Sequence, residues 1–592
     1  MCGIVGYCGK KINITKIVEA LKKLEYRGYD SAGISSIKNN EVKTYKQAGK
    51  INDLLKSLPD TEYTTCAISH TRWATHGKAN YENAHPHTST NKTWTIVHNG
   101  IIENYKELRD GLSHTIKSDT DTAVLAEYLE EKSVTDIRTF ITTFKDVKGS
   151  YAIVAINKFE NDTLYIAKKS SPLFIAQSYD SIWIASDPIS IPSGYDYLYE
   201  LSDNEFARVS DNNIIFYDSS INNISKKPSI ITEQFEAVNK GKYPHFMLKE
   251  IEEEPTSIRR QLKEYREKQI LKYYDYDFIK KFQFVKIIGC GTAYHAGLMA
   301  ARFIEKLVGI KCSVEIASEY IYKEPTLDSK DTLFIFISQS GETADTIKAL
   351  DMVKAKGYHN IALTNVLYST IARKAEHVLP TYAGPEIAVA STKAFVCQLT
   401  TAYMFASHLH NVMENNYIDY EKDIEKIADI ILDFDYDKLD SIAKDIYNNP
   451  TAIFLGKDLD YIIAMEASLK LKEVSYINST SYPSGELKHG FLALIEDGTP
   501  LIILATGSDI QISKTINAAS ESIARGAMEI MVTNRRNEYR VRNNAIYIDN
   551  ISPLLAPILA IAPMQYLAYR VSILKGLNPD QPRNLAKSVT VE

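Results

Sequence analysis

A chain of 592 residues, 45% hydrophobic and 24% charged, is too long for one ordinary core and has the composition of a soluble globular protein with roughly three or four domains. A net charge of −6 without a long basic run excludes nucleic acid as an expected partner. The six cysteines (Cys2, Cys8, Cys66, Cys290, Cys312, Cys397) show no C-x-x-C and no paired histidine spacing, which sets aside a metal site and a disulfide framework and points to a reducing compartment.

The chain opens Met-Cys-Gly-Ile-Val-Gly. Removal of Met1 would leave Cys2 with both a thiol and a free α-amine, whose unperturbed pKa is about 7.7–8.0. One residue then supplies nucleophile and base, the logic of an N-terminal nucleophile hydrolase. By position alone a small buried cysteine explains Cys2 equally well, so the segments that follow must decide. No basic leader or apolar signal region precedes it, and the expected location is cytoplasmic.

Residues 2–238 read as one α+β domain. Short β-type runs (Ile4–Tyr7, Thr64–Ser69, Trp94–His98, Tyr151–Ile156, Leu164–Ala167, Ser181–Ala185) alternate with Gly-, Asn- and Asp-rich turns, and helices are predicted near Ile14–Leu24 and Asp121–Glu131. Arg27 lies in a Gly-bounded turn, Arg72-Trp73-Ala-Thr-His76-Gly follows a strand, His98-Asn99-Gly100 ends another, and Asp121 opens a helix. A glutamine-dependent amidotransferase needs these types. The α-carboxylate and α-ammonium of glutamine call for an arginine and an aspartate, and the oxyanion formed by thiolate attack calls for an Asn amide and a Gly N–H.

Residues 239–281, bounded by Gly and Pro, read as a linker with a charged connecting helix over Ser257–Lys272. From residue 282 apolar strand-like runs alternate with helices, the rhythm of a doubly wound sheet. It fills 282–425, restarts over 449–582 as a structural repeat, and leaves a tail at 583–592. The apolar stretch Pro553–Met564 is short and holds prolines, so a buried helix is expected and no membrane span.

In the first repeat, Gly289-Cys-Gly291-Thr292 follows a strand and opens a helix; Tyr294 stands where a dinucleotide fingerprint needs its third Gly. Such a turn can still cradle a phosphate. The next crossover carries Ser338-Gln339-Ser340-Gly-Glu-Thr343, which suits a phosphate monoester, though an ordinary helix cap uses similar residues. Ser391 lies in a further polar cluster ahead of a helix. Glu466, Lys470 and Glu473 share one helix face by spacing, and a solvated ion-pair ladder would read the same way.

Taken together the front motifs resemble the class II glutamine amidotransferase domain. The rear segments, with Leu-Lys-Leu-Lys-Glu, Gly-Glu-Leu-Lys-His-Gly and the tail Pro-Arg-Asn-Leu-Ala-Lys-Ser-Val-Thr-Val-Glu, resemble the paired sugar isomerase domains of the glutamine–fructose-6-phosphate aminotransferase family. The resemblance covers essentially the whole chain. It implies an N-terminal nucleophile domain followed by two α/β doubly wound sugar isomerase domains, acting on glutamine and fructose 6-phosphate in a homodimer or higher homo-oligomer. By resemblance Cys2 is the nucleophile, Asn99 and Gly100 form the oxyanion hole, Arg72 and Asp121 hold glutamine, and Arg27, Trp73 and His76 line or gate that site. Ser338, Gln339, Ser340 and Thr343 bind the sugar phosphate, and Thr292 and Ser391 contact the sugar. Lys587 forms an imine with the open-chain ketose, Glu473 moves the proton between C1 and C2, and Glu466 and Lys470 assist. His489, from the partner subunit, opens the ring. Because Lys587 supplies the imine, no cofactor is implied. Ala293, Asn478, Tyr482 and Phe491 depart from the family pattern. The competing readings are an amidotransferase that makes asparagine or a phosphoribosylamine, and a non-catalytic sugar-phosphate sensor.

Overall fold

The computed structural model describes residues 2–73, 77–210, 212–230, 239–323, 329–414, 416–536 and 544–589. The chain divides into two compact units, residues 1–239 with 586–592 and residues 240–585.

The front unit is built on an eight-stranded and a seven-stranded sheet. Successive side chains of a strand face opposite sides, and both sides are buried here. In the strand Gly3–Asn13, Ile4 enters the core shared by the two sheets with Val97, Val154 and Ile166, whereas Val5 packs with Ile17 and Leu21 of the helix Ile14–Lys22. On the outer side of the second sheet, Trp94 and Ile96 pack against Val124, Leu125 and Phe140 of the helices Asp121–Glu131 and Ile137–Thr143. The result is a helix–sheet–sheet–helix stack. Register then fixes the site. Gly3 pairs with Thr71 and Ile4 with His70, so Cys2 falls beside Arg72 and Trp73 at the end of the strand Tyr63–Arg72.

The rear unit holds two parallel five-stranded sheets. Counted along the chain, each has strand order 2-1-3-4-5. In this topology ligands bind beyond the carboxyl ends of strands 1 and 3, where the winding reverses. The repeat extends to backbone detail. Gly291 begins the helix Thr292–Leu307 at φ 53°, ψ −126°, and Asp458 begins Leu459–Ser475 at φ 55°, ψ −119°. A Cβ is strained in that region, and Asp458 is held there by Arg302 at 2.7 Å, Lys306 at 3.1 Å and Gln511 at 3.1 Å. Two residues on, the buried Asp460 carboxylate accepts the N–H groups of Thr506 (2.8 Å) and Gly507 (3.2 Å) and the Thr506 hydroxyl.

The segment 239–281 contains the helices Phe246–Glu252 and Glu254–Lys268. Met247, Ile251, Ile258 and Leu262 join Ile287, Leu399 and Leu567 in one core that spans both repeats. Buried Gln261 donates to the carbonyls of Thr381 (2.8 Å) and Cys397 (2.9 Å). The helix ends at Gln269, which is left-handed at φ 49°, earlier than the sequence reading placed its end. The late apolar helix is longer than that reading. It runs Ala556–Leu574 through Pro563, 19 residues and apolar enough to span a membrane by length and composition, but with 83% of that window buried inside the protein. Apolar residues all around a helix are what a central core position requires.

Candidate active site

In the front unit the Cys2 thiol is clasped by the Trp73 backbone: Sγ accepts the N–H at 3.3 Å and faces the carbonyl at 3.6 Å. Burial pushes the thiol up, and Arg72 pulls against that shift. Asn99 Nδ2 donates to the Cys2 carbonyl at 3.0 Å. Gly100, next in the strand Trp94–Ile102, has φ 127°, and a Cβ there would collide with the Ser150 carbonyl. Arg72 is buried and donates to the carbonyls of Lys78 and Gly77, each at 3.3 Å. Burial lowers its pKa, while Cys2, Asp30 and Asp121 act to raise it, so these charges converge on one place. Asp121 is oriented by the N–H groups of Ile102 and Thr122, each at 2.8 Å. Trp73 stands half-buried, edge-on to Tyr29 at 5.5 Å. Arg27 is bonded elsewhere. It forms a buried ion pair with Asp187, and Tyr26 accepts its Nε–H at 3.0 Å. His76 lies outside the described residues.

The rear unit brings Thr292, Glu466, Lys470 and Glu473 together. Lys470 Nζ lies 2.6 Å from Glu473 and 3.3 Å from Glu466, and Thr292 donates to Glu466 at 2.9 Å. Glu466 and Lys470 are buried, so the solvated-ladder alternative does not describe them. Burial alone would raise Glu466, but Lys470, His295 and Thr292 together hold it below the usual carboxylate range. Burial would lower Lys470, and Glu473 and Glu466 outweigh it and hold the amine above its ordinary value. The sequence reading missed His295, whose Nδ1 lies 2.7 Å from Glu466. Its signal was its spacing, one helical turn after Thr292.

Lys470→Met is expected to destabilise the full chain by about 3–5 kcal/mol at pH 7, because two carboxylates lose their buried cation; urea unfolding followed through the rear unit reads it. Glu466 is lowered from 4.5, so its share of the stability is complete above the unfolded value and is lost as pH falls through the folded one. Lys470 is raised from 10.5, so its share is complete below that value and is lost only as pH rises through the folded one. Equal stability of the two proteins at pH 7 would show that the pair is not ionised.

The turn after the strand Thr332–Ser338 is built by its own hydroxyls. Ser338 Oγ accepts the Gly341 N–H at 3.0 Å and lies 3.0 Å from the Thr343 hydroxyl, and Ser340 Oγ accepts the Glu342 N–H at 3.2 Å. Gly341 has φ 66°, and a Cβ there would overlap Ser369. Thr343 begins the helix Ala344–Ala355 without capping it through its side chain. Gln339 is held through its carbonyl, which accepts the Asn365 N–H at 3.2 Å. Ser391 donates to Glu386 at 3.0 Å. His489 is exposed after the short turn Ser484–Lys488. Tyr482 and Phe491, two departures from the family pattern, stack on each other with centroids 3.8 Å apart. Lys587 lies beyond Leu585, in the stretch grouped with the front unit.

Residues 70–192 match the glutamine amidotransferase domain, and residues 282–408 and 445–575 match the SIS domain. The fold and these matches define a glutamine amidotransferase joined in one chain to a tandem SIS pair. The chain is 41% identical over 614 residues to glutamine–fructose-6-phosphate aminotransferase [isomerizing] of Clostridium acetobutylicum and 41% identical over 618 residues to that of Clostridium tetani, with all of each chain covered. The solved C-terminal domain of glucosamine-fructose-6-phosphate aminotransferase from Francisella tularensis is 35% identical, with a TM-score of 0.53, covering 58% of this chain and 100% of that one. The chain belongs to the glutamine–fructose-6-phosphate aminotransferase (isomerizing) family.

Proposed function

We propose that the chain converts glutamine and fructose 6-phosphate to glutamate and glucosamine 6-phosphate, the entry to amino-sugar synthesis. The observation that carries this reading is the presence in one chain of a backbone-clasped thiol beside an Asn amide and of a buried Lys470 between two carboxylates. Cys2 attacks the glutamine amide carbon with its own α-amine as base once Met1 is removed. Asn99 and Gly100 donate to the oxyanion, and Arg72 and Asp121 hold the two ends of the amino acid. Ammonia leaves, water hydrolyses the thioester, and glutamate is released. Trp73, whose backbone clasps the thiol, lines this site.

In the rear unit the turn Ser338–Thr343 holds the phosphate, and Thr292 and Ser391 hold the sugar. By the family resemblance, the amine of Lys587, which belongs to the stretch beyond Leu585, condenses with the C2 carbonyl and expels water; ammonia then takes the place of Lys587 at C2. Glu473 removes a proton from C1 and returns it at C2, leaving an aldehyde at C1 and an amine at C2. Lys470, 2.6 Å from Glu473, orients it for the transfer, and Glu466 holds Lys470 in place. The exposed His489 supports an assembly in which it opens the sugar ring in a second copy, and we place the enzyme in the cytoplasm as a homodimer. The purified chain is expected to form glucosamine 6-phosphate and glutamate in equal amounts, read by mass spectrometry. Glutamate without amino sugar would refute the synthase reading and leave only a glutaminase.

A further inference from the structure

The steps above use Asn99 and leave unexplained the imidazoles packed behind it. His70 is fully buried in the strand Tyr63–Arg72. Its ring lies flat on His85, centroids 4.1 Å apart, and His85 meets His87 edge-on at 4.6 Å. The wall is tied to the start of the helix Asp121–Glu131. His85 Nε2 and His98 Nδ1 each lie 2.9 Å from the Thr122 hydroxyl, and His87 Nε2 lies 3.0 Å from that of Thr120.

His70 Nε2 lies 3.0 Å from the His98 carbonyl and 3.1 Å from Asn99 Oδ1. A backbone carbonyl only accepts, so Nε2 carries the hydrogen. Nδ1 is buried without a hydrogen-bond partner among the described residues, so it is bare. Burial pushes the pKa of His70 down to about 3, and the ring stays a single-proton donor at neutral pH.

We infer that His70 is a positioning residue for glutamine hydrolysis: its Nε2–H pins Oδ1 of Asn99 and so keeps the Asn99 amide N–H groups turned toward Cys2. A carboxamide is nearly symmetric in shape, and a half-turn replaces donor by acceptor. An oxygen turned toward the reacting carbonyl would repel the oxyanion. In the resting geometry one Asn99 N–H already points to the Cys2 carbonyl, which leaves the other for the oxyanion. The inference rests on Asn99 as an oxyanion donor, and the test separates the two claims.

Glutamine hydrolysis is measured for the full chain, His70→Met, Asn99→Ala and the double variant, with fructose 6-phosphate isomerisation and thermal unfolding as controls of folding. Loss of one oxyanion donor costs about 10²–10³ in kcat. His70→Met is expected to lose about 10–100-fold in kcat, with KM for glutamine within about threefold, and the double variant to lie within about threefold of Asn99→Ala. His70→Gln, which can present an amide N–H to the same oxygen, should recover kcat to within about fivefold of the parent. A His70→Met protein with unchanged kcat, a loss confined to KM, or single losses that multiply in the double variant would overturn the positioning role. Should His70→Met not fold, a folded His70→Gln protein that loses more than about tenfold in kcat overturns it as well. Full activity of Asn99→Ala would instead refute the oxyanion assignment.

Discussion

Cys2→Ala is expected to lower both glutamine hydrolysis and glutamine-dependent synthesis by about 10³-fold or more, while isomerisation of fructose 6-phosphate to glucose 6-phosphate stays measurable. On the proposed mechanism the Cys2 thiol, held against the Trp73 backbone, forms the covalent bond with the amide, and a methyl group cannot replace it. The proposed proton shuttle at Glu473 does not use the Cys2 thiol, so isomerisation is expected to survive. A coupled assay for glucose 6-phosphate and a direct assay for glutamate read the two activities separately. Loss of both in a protein that unfolds at the parental temperature would refute the separation of the half-reactions.

Lys587→Arg is expected to abolish synthesis by a comparable factor, about 10³-fold or more, with phosphate binding kept. A guanidinium keeps the charge but stays protonated and forms no imine. Borohydride added with fructose 6-phosphate should fix the sugar to Lys587 in the parent, found by peptide mass mapping, and leave the Arg variant unlabelled. Near-normal synthesis by Lys587→Arg would reduce this lysine to a charge contact. Labelling at Lys470 instead would move the imine to the buried amine.

Much of the front unit was legible because its strands carry apolar runs and are separated by turn residues, although several run further than those runs. The helix Asp121–Glu131 has the bounds expected from sequence, since Thr120 caps it by accepting the Ala123 N–H. The strand Gly3–Asn13 was read short at Tyr7 because Lys10 and Lys11 break the apolar run, although the backbone pairing resumes at Ile12. Most parallel strands of the rear unit were legible as apolar runs; the polar strand Asn478–Pro483 was not, because its sequence, NSTSYP, holds no such run. The helix bearing Glu466 was read as an ion-pair ladder or a catalytic face, because spacing gives neighbours on a helix but not what covers them. That His295 and Thr292 cover Glu466 depends on contacts 171 and 174 residues apart in sequence. The pairing of Arg27 with Asp187 is equally remote, and no local pattern announces it. His70 was overlooked for the same reason: a histidine in an apolar strand reads as filler until its partner in the next sheet is known.

The two repeats wind their strands identically, yet the turns after their third strands are built differently. In the first, the loop after strand three is the turn proposed to hold the sugar phosphate, and its own hydroxyls shape it. In the second, the matching loop already holds an anion of its own, the Asp460 carboxylate, seated on the Thr506 and Gly507 amides. That internal guest turns a docking place into a clamp on the helix Leu459–Ser475. The same helix carries Glu466 and Lys470 to Thr292 of the first repeat. The buried polar cluster thus takes its groups from both repeats, and neither assembles it alone.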